Sequence, residues 1–364
     1  LSGNKVKNNM KYLIIFSLIA LFSPMSIEAN EVSSGVLRTP DDRFENIEGY
    51  PFQPNYIDIQ GLRIHYLDEG PQDAAPILLL HGEPTWSYLF RKMIPVLTDA
   101  GHRVIVPDMV GFGKSDKFVS IDDYSYQHHI DVMRELVRHL DLKKTTFVGH
   151  DWGGLVGLRV VAEMPDRFAQ IVVTNTGLIS TTGIRAWIGY PLFKLMIWWK
   201  GPASWDEMRQ DFTNWIRYSY YTEDINVGGI MSLLGGVNEE EKAAYEAPYP
   251  DSRYKTGAQI FPYLIPSQLR ENERVWKEVF EKWDKPFLIA FSDEDPVSSS
   301  NPILEQSFRE RIPNPSRVLI KGVGHFVQEE VGPEFANLIN DFIADRPIKG
   351  FSKKEAGLDN QSIF

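Results

Sequence analysis

Thr146-Phe147-Val148-Gly149-His150-Asp151-Trp152-Gly153-Gly154 decides the reading of this chain. The three leading residues form an apolar strand. A helix follows, running to about Met164 and stopped by Pro165. Glycines on both sides of Asp151 permit a tight turn and close packing of the helix on the strand. A strand, a sharp turn and a helix are the setting that presents a nucleophilic serine in G-x-S-x-G sequences. Here an aspartate takes that place. A serine must lose a proton and then attacks an acyl carbon. A carboxylate is ionised near neutral pH, since its ordinary pKa is about 3.9. It can displace a leaving group from an sp³ carbon and become an ester. A plain helix N-cap aspartate is the alternative, but the strand and the flanking glycines fit a nucleophile better.

Working outward, apolar runs recur at Ile77–Leu80, Val104–Val106, Ile171–Thr174, Phe287–Phe291 and Val318–Ile320, with a hairpin near Gly61 ahead of them. Continuous apolar strands are expected where helices cover both faces of a parallel sheet. Helical stretches separate them; in 129–140, Ile130, Met133, Val137 and Leu140 share one face. The class is therefore α/β. Strand–helix alternation lapses between about 177 and 270, a stretch rich in Trp, Tyr and Pro, and then resumes. The expected organisation is a core in two parts, 30–176 and 271–346, with a helical cap at 177–270 and a polar, frayed tail at 347–364. The cap would roof the C-terminal edge of the sheet, where open α/β sheets bind ligands.

Three further signals follow predicted strands. Gly322-Val323-Gly324-His325-Phe326 places a histidine on a late loop, the position of a general base. Ser292-Asp293-Glu294-Asp295-Pro296 offers a carboxylate to orient it; Asp295 is the choice, Asp293 the runner-up. In His81-Gly82-Glu83-Pro84, the backbone N–H of Glu83, with that of Trp152, would form an oxyanion hole, leaving His81 structural. Gly113-Lys114-Ser115 mimics the end of a phosphate-binding loop. That loop needs a further glycine where Asp108 stands, so a nucleotide site is rejected. The run Asp293–Asp295 is too short for a full oxygen cage, and no metal or organic cofactor is expected.

Composition narrows the function classes. The 364 residues are 43% hydrophobic and 24% charged, with a formal net charge of -11, which argues against nucleic-acid binding. There is no cysteine, so disulfides, thiolate metal sites and cysteine nucleophiles are excluded. After Met10, taken as the start, comes the apolar run Leu13–Phe22, too short to span a bilayer comfortably. With a small residue near Ala29, residues 1–29 read as a signal peptide of an exported, periplasmic protein, the mature chain beginning at Asn30. An uncleaved membrane anchor is the alternative. A monomer is expected.

With these residues in place, the chain resembles a known family. The block His81-Gly82-Glu83-Pro84-Thr85-Trp86-Ser87-Tyr88-Leu89-Phe90-Arg91, together with Gly149–Gly154, is similar to the haloalkane dehalogenases over about residues 55–345. The subgroup is the one whose catalytic acid follows the later strand. The resemblance implies an α/β-hydrolase fold, a mostly parallel sheet with helices on both faces and an inserted helical cap. It implies an alkyl halide as substrate, an ester on Asp151, and a base, His325, oriented by Asp295. It further implies a halide held by two indole N–H groups: Trp152, and Trp215 from Phe212-Thr213-Asn214-Trp215. Trp205 or another cap tryptophan is the alternative donor. Leu155, Phe212, Phe261, Pro262 and Ile265 are expected to line the pocket. The segment 184–202 looks longer than the family's cap entry. Its Trp187, Phe193, Trp198 and Trp199 would be cap core, a tunnel wall, or a contact with a partner or membrane.

The main rival is an epoxide hydrolase using the same aspartate and histidine. Its oxygen-protonating tyrosines would come from Tyr190, Tyr218, Tyr220, Tyr221 and Tyr263. A fluoroacetate dehalogenase would need cations around a substrate carboxylate, which are not identifiable. A silent binding protein on the same scaffold is disfavoured by the intact Asp151, Asp295 and His325, and a serine esterase by the absence of serine at the turn.

Overall fold

The computed structural model describes residues 31–357. The expected signal segment and the last residues of the tail lie outside them. Eight strands form the main sheet: β1 (Asn55–Ile59), β2 (Leu62–Glu69), β3 (Pro76–Leu80), β4 (Arg103–Pro107), β5 (Thr145–His150), β6 (Phe168–Thr174), β7 (Phe287–Ser292) and β8 (Ser316–Ile320). Their spatial order is β8-β7-β6-β5-β3-β4-β2-β1. The six from β8 to β4 run parallel, and β2 and β1 add antiparallel to the edge. Every residue of β3, β5 and β7 is buried, as strands covered on both faces require. Most strands outrun their apolar cores by a residue or more, because ladder hydrogen bonds continue through polar residues that periodicity does not flag. The opening hairpin turns at Gln60 and Gly61, both with positive φ.

Helix α1 (Tyr126–His139) starts three residues before its apolar stripe suggests, because the Ser125 hydroxyl accepts from the His128 N–H at 3.1 Å. Helix α2 (Trp152–Glu163) is pressed against the sheet by its glycines. A Cβ on Gly153 would lie 2.0 Å from the Leu80 carbonyl oxygen, and one on Gly157 2.1 Å from Phe147 Cζ.

Among the described residues, no strand lies between Thr174 and Phe287. That stretch is helical: α3 (Arg185–Lys200), α4 (Phe212–Tyr221), α5 (Val227–Gly235), α6 (Glu239–Glu246), α7 (Thr256–Leu264) and α8 (Leu269–Glu278). The block Trp86–Arg91 is wholly buried and fastens α6 to the sheet. Trp86 Nε1 donates to the Ala244 carbonyl at 3.1 Å. Arg91 reaches Glu241 at 2.6 Å and Glu329, on α9 (Val327–Ile343), at 2.9 Å. The tail is not frayed as far as Gly357: the N–H groups of Lys321 and Lys353 exchange 2.9 Å bonds with the carbonyls of Phe351 and Lys321. Polar composition misled here because this pairing uses backbone groups alone.

Candidate active site

Strands β3, β5, β7 and β8 all end at the same edge of the sheet, and each is followed by one of the residues in question. Asp151 stands at φ 49° between β5 and α2, the strained turn that lifts a side chain off the sheet. Its neighbours leave no room for larger residues. A Cβ on Gly82 would lie 2.4 Å from Asp151 Oδ1, and one on Gly154 2.1 Å from Thr176 Oγ1. Thr176 Oγ1 in turn donates to the Asp151 carbonyl at 2.6 Å. The Glu83 N–H donates to Asp151 Oδ1 at 2.9 Å, and the Trp152 N–H also bonds the carboxylate. Burial raises the pKa of Asp151, opposed by His325 and by these two N–H groups. Its side chain keeps 21% of its surface exposed, enough to meet a small molecule.

His325 Nδ1 lies 2.9 Å from Asp295 Oδ1, and its Nε2 lies 3.8 Å from Asp151 Oδ2. Asp295 is fully buried. Burial works against its charge, but His325, Ser298 and the Val297 N–H hold its pKa down at about 2. An ionised carboxylate only accepts, so Nδ1 carries a proton towards Asp295, and Nε2 is the nitrogen that faces Asp151. Burial also disfavours charge on His325. The Asp295 carboxylate and Asp151 outweigh that, and its pKa sits above the ordinary histidine value. Asp293, the alternative acid, is exposed and accepts from the Gly322 N–H at 2.7 Å.

A second layer fixes the histidine loop. Asn175 Nδ2 donates to the His325 carbonyl at 2.9 Å and to Ser292 Oγ at 2.7 Å; its Oδ1 accepts from the Ser292 N–H at 3.1 Å. His150 Nε2 lies 2.9 Å from the same His325 carbonyl, so it is the donor there. Burial holds His150 neutral, with its pKa lowered to about 3. His81 is structural: Nδ1 donates to the Gly82 carbonyl and Nε2 accepts from the Met109 N–H, both at 3.0 Å. Gly113-Lys114-Ser115 does cradle an anion, but an internal one. The Lys114 N–H donates to Asp108 Oδ2 at 2.8 Å, and a Cβ on Gly113 would lie 2.0 Å from that oxygen.

A cavity of about 350 Å³ opens over Asp151. Its walls include Glu83, Trp152, His325, and, of the expected residues, Phe212, Trp215, Pro262 and Ile265. Leu155 and Phe261 are not among the lining residues. Leu155 lies one turn down α2, where its carbonyl accepts from Tyr126 at 2.7 Å. Phe261 is buried against the Trp152 ring at 4.5 Å, pointing away from its neighbour Pro262. Met208, Ile230, Leu233, Leu234, Val297 and Phe326 complete the apolar wall and were missed. Within α5, Ile230 and Leu234 stand four residues apart on one face, a spacing that could have flagged them. Trp205 is not a lining residue; it packs edge-on to Tyr218. Tyr190, Tyr218, Tyr220, Tyr221 and Tyr263 do not line the cavity either, and Tyr220 stacks on Tyr263 at 4.2 Å.

Two buried groups at the cavity have no hydrogen-bond partner among the described residues: Trp152 Nε1 and Glu83 Oε1. Burial and the Asp151 charge push the Glu83 pKa well above the ordinary carboxyl value. Among the described residues, no group of three or more His, Cys, Asp or Glu is arranged to hold a metal ion.

Comparison with known proteins agrees with this geometry. A family model for the alpha/beta hydrolase fold matches residues 75–331. A haloalkane dehalogenase of Psychrobacter cryohalolentis is 43% identical over 325 residues, covering 86% of this chain and 99% of the relative. One from Mycolicibacterium paratuberculosis is 41% identical, covering 84% and 97%. The solved haloalkane dehalogenase DpaA of Paraglaciecola agarilytica, described as tetrameric, superimposes with a TM-score of 0.69 at 35% identity, covering 83% of this chain and 96% of that one. The chain belongs to the haloalkane dehalogenases, hydrolases of the α/β-hydrolase fold that act on carbon–halide bonds.

Proposed function

We propose that this chain hydrolyses alkyl halides through a covalent ester on Asp151. Asp151 attacks the halogen-bearing carbon in line, the carbon–halogen bond breaks, and halide departs with the electron pair. The indole N–H groups of Trp152 and Trp215 receive the anion. His325, held by Asp295, takes a proton from water as the water oxygen attacks the ester carbonyl carbon. The N–H groups of Glu83 and Trp152 stabilise the oxyanion, and collapse of the intermediate releases the alcohol. Alkyl halide and water give alcohol, halide and a proton.

One observation carries the halide role: Trp152 Nε1 is a buried donor with no acceptor among the described residues, on the wall of a mostly apolar cavity beside Asp151. Buried donors are ordinarily paired, and an anion is the partner a donor-only group suits. An epoxide hydrolase lacks comparable support, because none of the five tyrosines it would draw on lines the cavity.

The test is chemical trapping. Protein with His325→Phe, exposed to 1-bromobutane, gains one butyl group on Asp151 by mass spectrometry, and Asp151→Ala neither gains it nor releases bromide. Unmodified His325→Phe protein, with the wild type active, contradicts the scheme. We further propose export to the periplasm, checked by cell fractionation, and a single chain in solution, which light scattering distinguishes from a tetramer such as the Paraglaciecola relative.

A further inference from the structure

Helix α3 has apolar residues on both faces. Its inner face packs on the cap through buried Ile197 and through Tyr190 and Phe193, which lie against Tyr263. Its outer face carries Trp187, Ile188, Leu192, Leu195, Trp198 and Trp199, all of them exposed. The three tryptophans are 64%, 71% and 79% exposed. At 3.6 residues per turn these six fall within one continuous arc. Lys194 borders that arc on one side and Arg185 on the other, with Lys200 at the helix end. No residue of α3 lines the active-site cavity, so this face is not a tunnel wall.

We propose that the outer face of α3 seats the protein on an anionic lipid surface. Large exposed apolar patches mark sites of association. Tryptophan at the surface with lysine and arginine at the margins is the composition of helices that lie in the membrane interface. The helix has 16 residues, and no helix among the described residues is long and apolar enough to cross a membrane. Charge distinguishes lipid from a second copy of the chain. The protein's net charge is -11, yet no acidic residue occurs between Asp166 and Asp206, a stretch holding Arg167, Arg185, Lys194 and Lys200. A two-fold contact would bring this face onto itself and oppose cation to cation with no carboxylate on α3 to pair them. Arg270, stacked at 4.1 Å over Trp187, adds another cation at the margin. Glu271 and Glu273, which follow Arg270 on α8, are engaged by Arg274 and Arg311. Apolar alkyl halides partition into lipid, so a cap resting there meets its substrate where it is most concentrated.

The chain contains no cysteine, so a single introduced one can be labelled cleanly. The full chain with Leu195→Cys carries an environment-sensitive bimane. A control carries it through Asp73→Cys, before β3 at the opposite edge of the sheet. Vesicles containing half phosphatidylglycerol should shift the Leu195→Cys emission to the blue, whereas pure phosphatidylcholine and the control position give no shift. Changing Arg185, Lys194 and Lys200 to glutamine should weaken binding on the order of 10²-fold. No shift with any vesicle overturns the proposal. Vesicle binding without a shift at position 195 assigns the contact to another part of the chain and overturns it too. A blue shift in protein alone, with light scattering showing an oligomer that Trp187→Ser, Trp198→Ser and Trp199→Ser together dissolve, gives the face to a second copy and also overturns it.

Discussion

His325 is poised between two carboxylates that do different things to it. Asp295, at 2.9 Å, is permanent, while Asp151, at 3.8 Å, would lose its charge on forming an ester. In the free enzyme both hold the histidine pKa above its ordinary value. Esterification removes one of these influences, so the pKa falls just when the ring must accept a proton. Asp295→Asn should therefore leave the first burst of halide, one per active site, and slow ester hydrolysis on the order of 10³-fold or more. The raised pKa places the loss of activity on the acid side, as falling pH protonates His325. The asparagine variant moves that limb to lower pH. Rapid-quench kinetics across pH would show both, and a burst slowed as much as turnover would rule out this division of labour. Asp151, His325 and Asp295 were legible in the sequence because each lies on the turn or loop that follows an apolar strand. The Asn175 and His150 contacts that hold the His325 carbonyl were not, since nothing local marks a side chain whose partner lies 150 or 175 positions away.

At the scale of elements, the cap is fastened by side chains that sequence reading took only as a family block. Arg91 lies 3.8 Å over the Tyr88 ring and shares Glu329 with Tyr245 of α6. Removing one member of a buried ion pair costs up to about 3–5 kcal/mol, and Lys92, whose Nζ lies 2.9 Å from Glu329 Oε2, offsets part of that here. Arg91→Ala should lower the thermal midpoint accordingly in calorimetry, and Arg91→Lys should restore only part, because an ammonium lacks the forked geometry. An unchanged midpoint would mean that Glu329 regains water. The pocket walls were the least readable feature. Phe261 and Pro262 are consecutive on α7, so they point about 100° apart; one lines the cavity while the other backs Trp152. Periodicity tells that a residue faces inward, not what lies opposite. Ile230, Leu233 and Leu234 share a cavity with Asp151 only because of how α5 sits over the sheet edge.

For the whole molecule, alternation of strands and helices disclosed the class of fold and the long helical stretch, but not the strand order, since each crossover can place the next strand on either side. Stability carries its own signature. His81, His129 and His150 are buried, and burial lowers the pKa of each. The unfolded chain therefore takes up protons below about pH 6.5 that the folded chain refuses. Stability is full above that value and falls with decreasing pH; for His150, whose pKa is lowered to about 3, the loss is about 1.4 kcal/mol per pH unit. Thermal midpoints measured from pH 7 to pH 5 should fall steeply; a flat profile would contradict the neutral burial of these rings. Trp152 has a last consequence. In the mechanism proposed above, the N–H that eases a halide off carbon keeps its attraction once the bond is broken. Departure of the anion then becomes a separate obstacle, and bromide or chloride already in the surroundings competes for the same donor. Turnover in brine and turnover in fresh water would differ for a reason that has nothing to do with the carbon–halogen bond.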